Sequence, residues 1–300
     1  MKSPHKDKLI ALFKNQKLPD KDLKKKNLVM DNYNNWVKVL QDKNLSGESY
    51  LKSIVNATNS YKNFIDLDFI FNSDDNFLYR QKGQLKLDNT ILEECLPYLI
   101  DKRLTPGRFA KSNYFVGDEN CFAGLYFGNW LSENFNERIF VKTKNQDFAV
   151  GKTIEIRIQD GKIIDTMNLN IAYFAAELKT NLDKTMFQEA SATARELKVN
   201  VHNSKYVLVC EWLDMTPIDT SKTSIDNVII LRKQKRMNSN VRGNFSTVEG
   251  RKSYYNEYKK FILSNPLDFK MFEYLVNLLN DCFPMDNCSD SKDMIRRGYF

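Results

Sequence analysis

The sequence predicts an α/β protein in which a mixed central sheet is flanked by helices, with a largely helical N-terminal region and C-terminal helices. Three observations predict this. Within residues 1–104 apolar side chains recur at three-to-four spacing, the period of a helix with one buried face. From Tyr114 to Arg236 they gather into short alternating or β-branched runs, which suit a pleated surface. After that the helical period returns and persists through Leu279.

The helical pieces come first. Leu9-Ile10-Leu12-Phe13, Trp36-Val37-Val39-Leu40 and Ile91-Leu92-Cys95-Leu96-Leu99-Ile100 each mark a helix face. Between them FLYRQKGQLKLDNT reads as a Lys-Gly turn followed by a short alternating strand over Gln84-Leu85-Lys86-Leu87. Thr105-Pro106-Gly107 breaks the pattern and closes an N-terminal region of residues 1–104. The core, residues 105–245, then offers apolar strands at Ile139 to Val141, Asp147 to Ile158, Ile171 to Leu178, Tyr206 to Cys210 and Val228 to Leu231. Asp183 to Lys198 interrupts them with Met186, Ala190, Ala194 and Leu197 at helical spacing and Asp183 as the expected N-cap. Residues 246–300 supply two more helices, around Tyr254 to Ile262 and Met271 to Leu279, parted at Asn265-Pro266.

A chain of 300 residues with 42% hydrophobic and 28% charged residues can bury a sizeable core, which excludes a disordered or low-complexity protein. A net charge of +7 suits a polyanionic partner without selecting one. No apolar run reaches membrane-spanning length, and MKSPHKDKLIALFKNQK lacks a signal-peptide h-region, so a cytoplasmic location is expected. The five cysteines are scattered, with no CxxC pair and only His5 and His202 as companions, which argues against zinc. Cys210 reads as a core thiol, while Cys282 and Cys288 flank a proline turn and are close enough in sequence to meet. All five are expected to be reduced.

Chemistry concentrates where the apolar strand IAYFAAELK ends. Glu177 and Lys179 lie two apart, so a strand points both to one side of the sheet. Charged side chains there are costly unless they pair or bind something, and a metal-activated water is one use. Phosphodiester hydrolysis of this kind needs carboxylates for a hard cation, a polarised water and a nearby positive group. Asp147 and Glu177 supply the carboxylates, the Leu178 carbonyl a further oxygen, and Lys179 the amine that orients or helps deprotonate the water. Glu-x-Lys otherwise means a solvated strand edge or a local ion pair, and Asp147 before Phe148-Ala149-Val150 reads equally as a turn residue. Glu155 and Asp165 compete for the role of first acid. Gln188 and Glu189 would reach a metal-bound water or simply sit on a helix surface.

AELKTNLDKTMFQEASATARELK, followed by KYVLVCEWLDMTPIDT and VIILRKQKR, resembles the restriction endonuclease family that includes BbvCI and enzymes cutting seven-base sites of the CCTNAGC kind, within the PD-(D/E)xK nuclease superfamily. FLYRQKGQLKLDNTILEECLPYLI shares the likeness, which covers most of residues 65–245. The resemblance implies a PD-(D/E)xK core and a type II restriction endonuclease, or one subunit of it, that cleaves double-stranded DNA with Mg2+. Asp147, Glu177 and Lys179 match its three motif positions, although Gln146 stands where the motif name has proline. One site per chain implies a second nuclease subunit, identical or different, for cutting both strands. A repair or recombination nuclease on this fold, or an inactive DNA-binding subunit, are the alternatives. Arg232, Lys233, Lys235 and Arg236 form the expected phosphate-binding cluster, extended by Arg242, Arg251 and Lys252. Residues 1–104, together with the loop from Arg103 to Asn113, are the expected base-reading part.

Overall fold

The computed structural model describes residues 2–105, 114–128, 139–161 and 163–282. Among the described residues five strands make one sheet in the order β1 (Phe115–Phe127), β2 (Ile139–Asp160), β3 (Ile163–Leu182), β4 (Lys205–Leu213), β5 (Asn227–Ile230). The first three run antiparallel to their neighbours, whereas β3, β4 and β5 are parallel, so the sheet is mixed. Parallel neighbours need a crossover. Between β3 and β4 it is the helix Lys184–Asn200, capped by Asp183, whose Oδ1 accepts the Met186 N–H at 2.9 Å.

In chain order the helices are α1 (Pro4–Phe13), α2 (Asp20–Leu23), α3 (Lys26–Leu40), α4 (Gly47–Asn63), α5 (Phe77–Leu85), α6 (Asn89–Cys95), α7 (Lys184–Asn200), α8 (Ser239–Gly243), α9 (Val248–Ser264) and α10 (Phe269–Cys282). Strand alternation gives each face of the sheet its own cover. Phe148, Val150, Phe174, Ala176, Leu178, Val207 and Val209 join the core built by α1, α3, α4, α6 and α10. Ala149, Ala175, Leu208 and Cys210 face Phe187, Ala190, Ala194 and Leu197 of α7. The small side chains on that second face let the helix lie close to the strands.

Three elements depart from the sequence reading. Gln84–Leu87 is no strand: α5 runs through Leu85 and ends on Lys86, whose φ of 52° turns the chain, while Leu87 is fully buried. Four alternating residues are too few to separate a strand from the last turn of a helix. Second, Ile139 to Val141 and Asp147 to Ile158 are parts of one strand, the polar stretch between them pairing with β1. Third, β1 is a strand that apolar alternation does not mark, since Gly117, at a register shift, and the polar run Asp118 to Asn120 break it. A further register shift lies at Val150/Gly151, where a Cβ would meet the Ile171 carbonyl oxygen at 1.9 Å. Glycine there lets β2 and β3 close up next to Asp147.

A buried ion cluster ties the N-terminal helices to the sheet. Glu211 on β4 lies 2.6 Å from Lys62 Nζ of α4 and 3.2 Å from Arg232 Nε, and all three side chains are no more than 5% exposed. Arg232 also donates to the Asn265 carbonyl and lies over the Trp212 ring at 4.8 Å. This corrects the expected surface cluster: Arg232 is spent inside the protein. Arg251 is likewise buried, donating to the carbonyls of Phe71, Ser73, Asp75 and Phe245.

Cys95, Cys121 and Cys210 are buried free thiols and Cys282 is a free, half-buried one. Cys288 and most of the loop from Arg103 to Asn113 lie outside the described residues. Among the described residues no helix is long and apolar enough to cross a membrane.

Candidate active site

Antiparallel pairing of β2 with β3 creates the site. Phe148 pairs with Ala176, which carries Asp147 opposite Glu177 and onto the same face as Lys179. Asp147 Oδ2 accepts the Leu178 N–H at 2.8 Å, so this acid is tied to the middle residue of Glu-x-Lys across 31 positions of sequence. Glu177 is held at both oxygens: Lys179 Nζ lies 2.7 Å from Oε1, and the Tyr206 hydroxyl donates to Oε2 at 2.8 Å. Glu177 and Lys179 keep partial exposure, 19% and 28%, enough for access from one side. Asp147, Leu178, Lys179, Asn89 and Arg236 line one cleft.

Burial is the first influence on the electrostatics of Asp147 and Lys179. Burial holds the Asp147 carboxyl above its ordinary value, opposed by the Leu178 N–H, and Glu177 adds to the rise while Lys179 and Lys86 act against it. Burial works against the Lys179 ammonium, yet its bond to Glu177 and the charges of Glu177, Asp147 and Glu189 leave it more firmly protonated than a free lysine. Burial and then Glu177 raise the Tyr206 phenol, which stays a hydrogen-bond donor.

Three contributors escaped the sequence reading. Asn89 Nδ2 donates to the Leu178 carbonyl at 3.1 Å and to Glu93 Oε1 at 3.0 Å. Glu93, 8% exposed, is pushed up to about 7, by burial first and then by the charge of Asp147. Tyr206 is fully buried beneath Glu177. Asn89 and Glu93, one turn apart on α6, look like an ordinary polar pair on an amphipathic helix. No local pattern links them to Leu178, 89 residues beyond Asn89.

The raised Glu93 has a measurable consequence. Its folded value of about 7 exceeds the ordinary 4.5, so folding takes up a proton between them. The associated stability is present below about pH 4.5 and is lost as pH rises through 7, by roughly 3 kcal/mol at most. Urea denaturation of metal-free protein across that range is expected to show this fall, and Glu93→Gln to flatten it. An unchanged slope in the variant would rule out Glu93 as its source.

The oxygens gathered here suit a hard divalent cation, which prefers carboxylates, carbonyls and water. Asp147, Glu177 and the Leu178 carbonyl are the groups present for one. Asn89 Oδ1 is buried with no hydrogen-bond partner, an acceptor left over in the wall of the cleft. Among the described residues no three His, Cys, Asp or Glu side chains form a metal-holding group.

The remaining candidates fall elsewhere. Asp165 pairs with Ile158 and Glu155 with Asn168, far out on the β2–β3 ribbon; Asp165 is roughly 40 Å along the strand from Glu177 at the usual rise per residue. Gln188 and Glu189 are exposed on α7, Glu189 acting on Lys179 only through its charge. Lys233 is 73% exposed with Asp268 at 2.8 Å, and Lys235 is also exposed. Of the expected cluster Arg232, Lys233, Lys235 and Arg236, only Arg236 lines the cleft.

The fold has a solved counterpart. A chain of the native BbvCI A2B2 tetramer superposes with a TM-score of 0.62 at 18% sequence identity, covering 93% of this chain and 95% of that chain. The mixed, helix-flanked sheet is of that form, and the family match makes the chain a type II restriction endonuclease, a site-specific deoxyribonuclease. The chain belongs to the Bpu10I restriction endonuclease family, whose model matches residues 84–300. No curated protein matches it.

Proposed function

We propose that the protein hydrolyses phosphodiester bonds of double-stranded DNA with Mg2+, using Asp147, Glu177 and Lys179 as a PD-(D/E)xK site. The observation that carries this is the joining of the Asp147 carboxylate to the Leu178 N–H, with the Glu177–Lys179 pair on the same strand. Asp147, Glu177 and the Leu178 carbonyl would hold the cation, which polarises water and offsets charge developing on the phosphate. Tyr206 keeps Glu177 oriented by occupying one of its oxygens. Lys179 would orient the water that attacks phosphorus, and would take that water's proton only after giving up its own to solvent. Asn89 holds the Leu178 carbonyl towards the cleft and steadies Glu93.

One such site cuts one strand. We therefore infer a second nuclease subunit, identical or homologous, for a double-strand break; the BbvCI structure is a tetramer of two kinds of chain. We also assign base reading to residues 1–104, with 105–245 as the endonuclease core and 246–300 as supporting helices, in a cytoplasmic protein. Family membership favours a restriction enzyme over a repair or recombination nuclease.

Incubating the protein, alone and with any companion subunit, with phage DNA and Mg2+ is expected to give a fixed set of fragments on a gel. A smear, or intact DNA under both Mg2+ and Mn2+, would refute a site-specific nuclease. Loss of cutting in EDTA with return on added Mg2+ is expected alongside.

A further inference from the structure

The sequence places its densest basic run at residues 232–236, yet the structure disperses it. What faces the active-site cleft is a different set of cations. Lys82 and Lys86, from the end of α5, line that cleft together with Lys179 and with Arg236 from beyond β5. Asp88 and Asp147 are the acids among its lining residues, so positive charge prevails there. Lys82 and Arg236 also line an adjoining cavity, so both stand where the two meet.

Two further observations point to a ligand that comes close along this wall. Lys86 adopts φ 52°, a left-handed conformation that a side chain with a Cβ rarely takes, and it remains exposed. This turn ends α5 at its C-cap and leaves Lys86 in the lining of the cleft. Gly83 also lines the cleft inside a helix, where glycine is unfavourable, and a Cβ built on it would meet nothing within 4 Å. Neither packing nor an unusual backbone angle asks for glycine there. The backbone at Gly83 is therefore open to whatever occupies the cleft.

Resting on the nuclease reading above, we propose that Lys82, Lys86 and Arg236 form a phosphate seat that grips the DNA backbone beside the bond to be cut, with Gly83 as its floor. The seat draws on two segments about 150 residues apart, so it forms only in the folded protein. Its electrostatics agree with this role. The charge of Lys86 reaches both Asp147 and Glu93. Burial and the neighbouring Arg242 disfavour the Arg236 cation, which Asp214 at 3.8 Å offsets in part, and a phosphate would offset it further. Lys82 has Asp66 and Asp88 as neighbouring charges and would share its ammonium between them and the phosphate.

Backbone contacts show themselves in salt dependence, because each neutralised phosphate releases counterions. The test is fluorescence anisotropy of the whole chain with a short duplex of arbitrary sequence, without divalent metal, across a KCl series. Lys86→Gly is the informative variant, since glycine suits φ 52° and the Tm is expected to hold or rise. It is expected to weaken binding several-fold and to lower the slope of log K against log salt by about one, as is Arg236→Ala. Lys86→Arg is expected to restore the slope, and Lys233→Ala to leave it unchanged. If Lys86→Gly and Arg236→Ala keep the wild-type slope and affinity, the seat is wrong, and a wild-type enzyme that still cuts DNA at fixed sites leaves the nuclease reading intact. If the wild type neither binds nor cuts duplex DNA, the nuclease reading fails and the seat with it.

Discussion

Lys179→Ala is expected to lower the rate of DNA cleavage by roughly three orders of magnitude, within the range for loss of a group that handles a proton in the transition state. Binding of duplex DNA should change little, because the alanine removes only one of several cations along the cleft. Metal affinity is expected to persist or rise, since Glu177 Oε1 is released from its 2.7 Å contact with the ammonium. Single-turnover cleavage under saturating Mg2+, beside anisotropy and calorimetric Mg2+ titration, separates these quantities. Lys179→Arg should fail to rescue, because a guanidinium does not give up a proton at working pH. Cleavage within tenfold of wild type in Lys179→Ala would remove the lysine from the chemistry.

Glu211→Leu is expected to cost about 3–5 kcal/mol of stability, the usual loss when one member of a buried ion pair is deleted. Glu211 is 2% exposed and is the counter-ion of both Lys62 and Arg232, so leucine would leave two buried cations facing each other. Lys62 would retain the Asp88 carbonyl at 2.9 Å, and Arg232 the Asn265 carbonyl, neither of which cancels charge. Such a loss is a large share of a typical domain's 5–15 kcal/mol. Urea denaturation followed by fluorescence should show a lower midpoint at similar slope. A change below about 1 kcal/mol would mean that water reaches the cluster.

Much of the fold was legible where local chemistry and tertiary packing agree. The helical face of α7 and its Asp183 cap follow from side-chain spacing and a short acceptor before the first turn. The apolar run of β3 marked a strand buried on both faces, and Glu177 and Lys179 fell at its end. The misreadings arose where the two disagree. Gln84–Leu87 alternates like a strand but is held as a helix end by its place over the core. β1 carries glycine and acids through a sheet edge, so its pairing with β2, and not its composition, makes it a strand. In the basic run 232–236, adjacent residues look alike in sequence, yet Arg232 turns inward to Glu211 and Lys233 outward to solvent.

By itself the sequence determined the class of element along most of the chain and the strand that ends in Glu-x-Lys, because periodicity and residue type are local properties. Only the tertiary structure decided that Asp147 meets the Leu178 amide, that Asn89, Glu93 and Tyr206 surround them, and that Lys86 rather than Arg232 faces the cleft. Those contacts join segments from 29 to 89 residues apart, and such distances are closed by strand register and burial, which no short window of sequence contains.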